Sequence, residues 1–106
     1  MTANRVEINN RDFWFKVVEM LQQNWALIDD HPDGGVIIFF ITDGSKVFDK
    51  LKFDSLDEAI QALRRNGFSR YLDDKESQKF ISPPKYPFFK GNHPNGPIYS
   101  SGRFWD

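Results

Sequence analysis

The chain has 106 residues, with 14 Lys and Arg against 15 Asp and Glu, which gives a formal net charge of −1. This length predicts a single domain, and the balanced charge argues against a nucleic-acid-binding protein, which usually carries a basic excess. The sequence contains no cysteine, which excludes disulfides and thiolate metal sites and fits a reducing compartment. It shows neither an apolar secretory signal nor a segment long enough to span a bilayer, so we expect a cytoplasmic protein without membrane contact.

Apolar residues recur at three- and four-residue spacing in the first quarter of the chain. They are Phe13, Trp14, Val17, Val18, Leu21 and Trp25. This spacing predicts an amphipathic helix, with Asn9 or Asn10 as its N-cap. The short segment WALI at 25–28 is a candidate strand after it.

The segment VIIFFI at 36–41 is apolar at every position and rich in β-branched and aromatic residues. Such a run predicts a strand that is covered on both faces. Asp43 and Gly44 follow it, and Asp-Gly is the strongest short signal for a two-residue type I′ turn. We therefore expect a hairpin whose second strand continues to Phe53.

A second helix is predicted to follow, because Ser55 and Glu58 have the spacing of a capping box and Gly67 suits a left-handed residue after the last turn. A fourth strand at 68–72 and a short helix within 73–81 come next. Residues 83–106 hold five of the six prolines and six aromatic residues, which predicts an extended segment packed on the sheet.

The predicted fold is therefore an α+β domain spanning residues 1–106. It has a small, mainly antiparallel sheet of about four strands. Two helices cover one face of this sheet, and the extended proline- and aromatic-rich C-terminal segment covers the other.

Two groups of residues have the chemistry of a reactive site. Asp29, Asp30, His31 and Asp33 offer oxygen and nitrogen ligands for a cation, but their spacing matches no established metal motif and favours a solvated loop. His93 lies near Ser100 and Ser101 without the surrounding pattern of a nucleophile elbow. We therefore predict no catalytic residue, no metal and no cofactor, and a protein that is not an enzyme.

A protein-binding surface is the functional feature that the composition favours most. Aromatic residues and arginine dominate binding hot spots, and the polar groups of Tyr86, Tyr99, Arg103 and Trp105 suit the rim of an interface, whereas Phe80, Phe88 and Phe104 are predicted as core. Two acidic segments complement a basic partner. Their residues are Asp29, Asp30, Asp33, Asp73, Asp74 and Glu76.

The overall type of the chain resembles the small immunity proteins of bacterial toxin–immunity systems, particularly those of contact-dependent growth inhibition. The resemblance includes the segments FDSLDEA at 53–59, NGF at 66–68 and IYSSGRFW at 98–105. It implies a cytoplasmic, non-enzymatic inhibitor that binds one cognate toxin domain, often a nuclease, and occludes its active site or substrate surface. Many nuclease inhibitors are strongly acidic, so the near-neutral charge of this chain favours occlusion by shape and aromatic contacts.

Two alternatives from other functional classes stay open. One is a small hydrolase or nuclease that uses His93 with an Asp or Ser partner. The other is an adaptor subunit that dimerises through the hairpin edge or the C-terminal segment. The sequence does not determine the oligomeric state.

Overall fold

The structure is a computed structural model that describes residues 5–19 and 22–91, apart from the side chains of residues 18, 19 and 22. The strands are β1 (Arg5–Val6), β2 (Trp14–Glu19), β3 (Gln22–Asp30), β4 (Val36–Ile41), β5 (Lys46–Phe53), β6 (Ser69–Arg70) and β7 (Phe88–Lys90). The α-helix is α1 (Leu56–Arg65), and short 3₁₀ turns occupy Tyr71–Asp73 and Ser77–Lys79.

Within these residues, the strands form one seven-stranded mixed sheet in the order β1-β7-β5-β4-β3-β2-β6. All neighbouring strands are antiparallel except β5 and β7, which are parallel. The predicted architecture of about four strands and two helices is therefore wrong: the described residues contain seven strands and a single α-helix.

The first predicted helix is the main error, because its residues form β2 and β3. In β2 the side chains alternate: Phe15 faces one layer of the core and Trp14 the other. Trp25 lies in β3 and pairs with Phe15 across the sheet. When both faces of a strand are buried, nearly every position is apolar, so a helical spacing can be found in it by coincidence.

The predicted central strand is confirmed, since β4 pairs with β3 on one side and β5 on the other. The hairpin to β5 is also confirmed, but its turn is not the predicted type. The residue with positive φ is Ser45, at 66°, and the amide of Ser45 donates to the carbonyl of Thr42 at 3.1 Å. This matches a three-residue hairpin loop in which a turn is followed by a left-handed residue.

A β-bulge in β5 reverses the direction of the side chains along that strand. Phe40 pairs with Asp49 and Ile41 pairs with Val47, so Phe48 is an extra residue. As a result, Val47 packs on the face opposite to that of Leu51. An unbroken alternation would have placed both on one face.

Helix α1 covers the first face of the sheet. Its predicted N-cap is confirmed, because the Ser55 hydroxyl accepts a hydrogen bond from the amide of Glu58 at 3.2 Å. Gly67 follows the helix with φ of +87°, as predicted. Ala59, Ala62 and Leu63 are fully buried against the sheet.

The second face is covered by irregular segments on either side of the strands. Ile8 and Phe13 come from the segment before β2 and Ile81 from the segment after β6, while Phe88 projects onto this face from β7. The prediction that Phe88 is core is confirmed, since it is fully buried, but the prediction that the proline-rich segment covers a face of the sheet is wrong for residues 88–90, which lie within the sheet. This part of the segment also contributes β7 to the sheet, while residues 92–106 lie outside the described residues.

Candidate protein-binding site

The segment of residues 71–81, called here the 71–81 loop, is held at both ends. At its start, the amide of Tyr71 donates to the carbonyl of Phe13 at 2.9 Å, next to the beginning of β2. At its end, the phenolic hydroxyl of Tyr71 donates to the carbonyl of Ile81 at 2.7 Å. The Tyr71 ring lies against Trp25, with ring centroids 5.6 Å apart. One side chain therefore joins the loop to the core and closes it.

Further hydrogen bonds fix the interior of the 71–81 loop. The side-chain amide of Gln78 donates to the carbonyl of Tyr71 at 2.8 Å. The amide of Ser77 donates to the Asp74 carboxylate at 3.0 Å, and the carbonyl of Ser77 accepts from the amide of Phe80 at 3.0 Å. Because these bonds define the backbone, the side chains that point outward are displayed in a fixed arrangement.

Two apolar side chains of this loop are exposed to solvent. Phe80 is 82% exposed and Leu72 is 54% exposed. Burying a Phe or Leu side chain contributes about 1.5–3 kcal/mol, and the free protein gains little of this from Phe80. Aromatic anchors presented on an ordered backbone are typical of binding surfaces, because little conformational entropy is lost when they bind.

Acids and bases are mixed in and beside the 71–81 loop. Three acids and three bases lie between residues 70 and 79: Arg70, Asp73, Asp74, Lys75, Glu76 and Lys79. Asp73 lies 3.6 Å from the guanidinium of Arg70, and Glu76 lies 3.5 Å from the ammonium of Lys79. The predicted acidic partner residues Asp73, Asp74 and Glu76 therefore belong to a mixed-charge segment that also carries the exposed Leu72 and Phe80.

Arg70 also connects this segment to the start of β2. Its guanidinium contacts the Asp12 carboxylate through Nε at 3.0 Å and through a terminal nitrogen at 2.8 Å. This hydrogen-bonded contact with Asp12 raises the pKa of Arg70 above its ordinary value. This ion pair ties Arg70, directly before the 71–81 loop, to the segment before β2.

The other predicted acidic residues lie in and beyond the end of β3. Asp29 is half-buried, and its two carboxylate oxygens accept from the amides of Asn9 and Asp30, at 2.8 and 2.9 Å. Asp30 and Asp33 are exposed, and the amide of Asp33 donates to Nδ1 of His31 at 3.0 Å.

These residues share one end of the sheet with the 71–81 loop. Because β2 and β3 are antiparallel, the start of β2 and the end of β3 lie at the same end of the sheet. At this end, Asn10 donates a hydrogen bond to the carbonyl of Ile28 in β3, and the amide of Tyr71 donates to the carbonyl of Phe13, immediately before β2.

Across the described ranges, no group of three His, Asp or Glu residues is arranged to hold a metal ion.

Tyr86 lies in a segment that contacts the hairpin loop between β4 and β5. The neighbouring carbonyl of Lys85 accepts a hydrogen bond from the Ser45 hydroxyl in the hairpin loop, at 2.5 Å. Tyr86 is 46% exposed, with the guanidinium groups of Arg5 and Arg11 5.0 and 5.2 Å from its ring centre. The described contacts of Tyr86 are with Arg5, Glu7, Arg11 and Phe88, and none is with the six predicted acidic residues.

Four residues singled out from the sequence, His93, Tyr99, Arg103 and Trp105, lie outside the described residues, as does Phe104, which was predicted as core. The most exposed aromatic side chain of the described part, Phe80, was predicted as core, and this prediction is wrong. Its position after the polar run DDKESQK was the available signal, since a single aromatic residue in such a run has few apolar neighbours along the chain.

No protein-family model, curated protein or solved structure matches this chain. Among the residues described, there is no helix with both the length and the apolar character needed to cross a membrane.

Proposed function

We propose that this protein is a cytoplasmic, non-enzymatic immunity or inhibitor protein that binds one cognate bacterial toxin domain and occludes its active site or substrate surface. The observation that carries the proposal is the 82% exposure of Phe80 on a loop whose backbone is fixed by hydrogen bonds. The resemblance in overall type to small immunity proteins supplies the class of partner.

The physical argument concerns the cost of ordering an interface. Association immobilises side chains and loops, at about 0.5–1.5 kcal/mol for each flexible side chain. A loop closed by the bond from Tyr71 to Ile81 is ordered before binding. An inserted Phe80 ring would then contribute most of its burial energy to affinity, as hot-spot residues do.

The charge distribution supports recognition by shape over attraction by bulk charge. Because Lys75 and Lys79 offset two of the three acids, the 71–81 loop has a net charge of only −1 to draw in a basic partner. Asp73 and Glu76 remain largely exposed at its rim, with side chains 64% and 79% accessible. Such rim charges orient a partner and speed its association more than they add to affinity.

The test is growth rescue in a bacterial host that expresses the polypeptide encoded next to this gene. We expect that polypeptide to arrest growth, the full chain to restore growth, and Phe80→Ala to lose most of the protection. His93→Ala should protect as well as the unmodified chain. A neighbour that is harmless, or protection that is lost with His93→Ala and kept with Phe80→Ala, would contradict the proposal.

A further inference from the structure

A groove of about 330 Å³ lies beside the central strand, on the sheet face opposite α1. Val6, Phe39 and Val47 line it from β1, β4 and β5. Val6 and Phe39 are only half-buried at the border of the core layer on this face. The groove therefore exposes part of an otherwise buried strand, and its volume is at the lower end of the range for small-molecule sites, about 300–1,000 Å³.

Two lysines lie at this groove because of the strand register. Lys50 pairs with Phe39 across β5 and β4, and Lys90 pairs with Val47 across β7 and β5. Directly paired residues in a sheet project to the same face, so both lysines lie on the face of the apolar groove residues. Phe48 and Asp49, at and after the bulge in β5, also line the groove, so one carboxylate borders it beside the two lysines.

Neither ammonium group of the groove forms a salt bridge with a described residue. Most lysines of the described ranges share this property, and Lys79, which pairs with Glu76 at 3.5 Å, is the exception among them. Lys46 pairs with Phe89 across β5 and β7, and its ammonium nitrogen lies 5.7 Å from the centre of the Phe89 ring. With two lysines and one carboxylate, the groove has a net positive charge beside exposed apolar surface, which is electrostatically complementary to an anion with an apolar body.

We propose that this groove binds a small molecule that carries a carboxylate on an aliphatic or aromatic body. The apolar body would lie over Val6, Phe39 and Val47, and the carboxylate would lie between Lys50 and Lys90. The proposal is independent of the toxin-binding function, because none of these residues belongs to the 71–81 loop.

The test is a titration of the ¹⁵N-labelled full chain with octanoate, followed by amide chemical shifts. We expect saturable shifts of the amides of Val6, Phe39, Val47 and Gly91, with a dissociation constant of about 1 mM or lower, since an apolar ligand of this size gains roughly 4 kcal/mol. Octylammonium tests the sign of the charge and acetate tests the need for an apolar body. Neither should produce these shifts.

The double variant Lys50→Met and Lys90→Met keeps apolar side chains of similar length and removes both charges. Octanoate affinity should fall by at least about tenfold, the loss expected for one charge-assisted hydrogen bond. Lys75→Met and Lys85→Met are matched controls and should bind normally. Equal binding of octylammonium, unchanged affinity in the double variant, or octanoate shifts confined to other residues would overturn the proposal, and so would the absence of binding.

Discussion

The phenolic hydroxyl of Tyr71 donates a hydrogen bond to the carbonyl oxygen of Ile81 at 2.7 Å, although the two residues are ten positions apart. The Tyr71 ring also packs on Trp25 and Phe15 in the core. One side chain thus sets both the position of the 71–81 loop and its closure. The display of Phe80 depends on this relationship.

Removing the Tyr71 hydroxyl should loosen the loop and leave the core intact. Tyr71→Phe keeps the ring contacts and loses a hydrogen bond with a typical net contribution of about 0.5–1.5 kcal/mol. We expect the amides of Phe80 and Ile81, which both donate to the carbonyl of Ser77, to exchange with solvent several-fold faster by hydrogen exchange. Tyr86→Phe makes the same chemical change outside the loop and should leave these two amides unaffected. Equal exchange in the two variants would mean that other bonds close the loop.

The exposure of Phe80 predicts that it contributes little to folding. Phe80→Ala should change the free energy of unfolding by less than about 0.5 kcal/mol, as surface substitutions usually do. Phe88→Ala, the same substitution at a fully buried position, should cost about 3–5 kcal/mol. Urea denaturation measures both values. A large destabilisation by Phe80→Ala would place this ring in the core and remove the basis of the proposed binding surface.

Asp43 has a structural role beyond its place in the hairpin loop. Its carboxylate accepts from the indole nitrogen of Trp25 at 2.8 Å and from the amide of Gln23 at 3.2 Å. Trp25 is fully buried, so Asp43→Ala should leave the indole donor unsatisfied at a cost of about 1–3 kcal/mol. Asp43→Asn retains an acceptor oxygen and should cost clearly less, measured by the same denaturation. Asp33→Ala, at an exposed loop position, is the control and should be nearly neutral.

The loop between β3 and β4 requires glycine at one position more strictly than at its neighbour. Gly34 and Gly35 both have positive φ, at 101° and 74°. A Cβ at Gly35 would overlap the carbonyl oxygen of Phe53, whereas a Cβ at Gly34 would meet nothing within 4 Å. Gly34→Ala should therefore cost about 1–3 kcal/mol from backbone strain alone, and Gly35→Ala should cost more. Thermal unfolding gives the comparison, and equal losses would show that the overlap is relieved by a small shift of β5.

The hydrophobic pattern predicts the central hairpin and α1 because each has a local signal that tertiary packing reinforces. The run at Val36–Ile41 is apolar throughout, and α1 carries its own N-cap at Ser55. The residues of β2 and β3 have no such local marker, and their character follows from pairing with strands distant in sequence. Helical spacing was therefore a misleading guide for this stretch.

The direction of individual side chains was harder to predict than the elements themselves. The bulge at Phe48 shifts Val47 to the other face, and no residue pattern in β5 marks it. It is this shift that places Val47 and Lys90 on the same face as Phe39 and Lys50. The proposed anion groove therefore could not be derived from strand alternation.

The candidate binding site was predicted in part. The sequence pointed to the acidic residues at 73–76, which lie in the 71–81 loop, but it assigned Phe80 to the core. An aromatic residue in a short irregular segment carries no periodic signal, and the polar run before Phe80 was the one local indication that its ring is exposed. The hydrogen bonds of Tyr71 and Gln78 fix the loop that carries this ring.

The most direct test of the proposed toxin-binding role is the affinity between this protein and the purified product of its neighbouring gene, measured by isothermal titration calorimetry. We expect binding by the unmodified chain and a loss of at least about 2 kcal/mol, roughly thirtyfold, for Phe80→Ala, the size expected of a hot-spot residue. Val17→Ala is the control, because it removes another exposed apolar side chain, which is 57% accessible. Val17 lies further along β2 than the start of the strand, where Tyr71 bonds to Phe13, and we expect this variant to bind normally. Equal affinities for the Phe80→Ala and unmodified proteins would contradict the account.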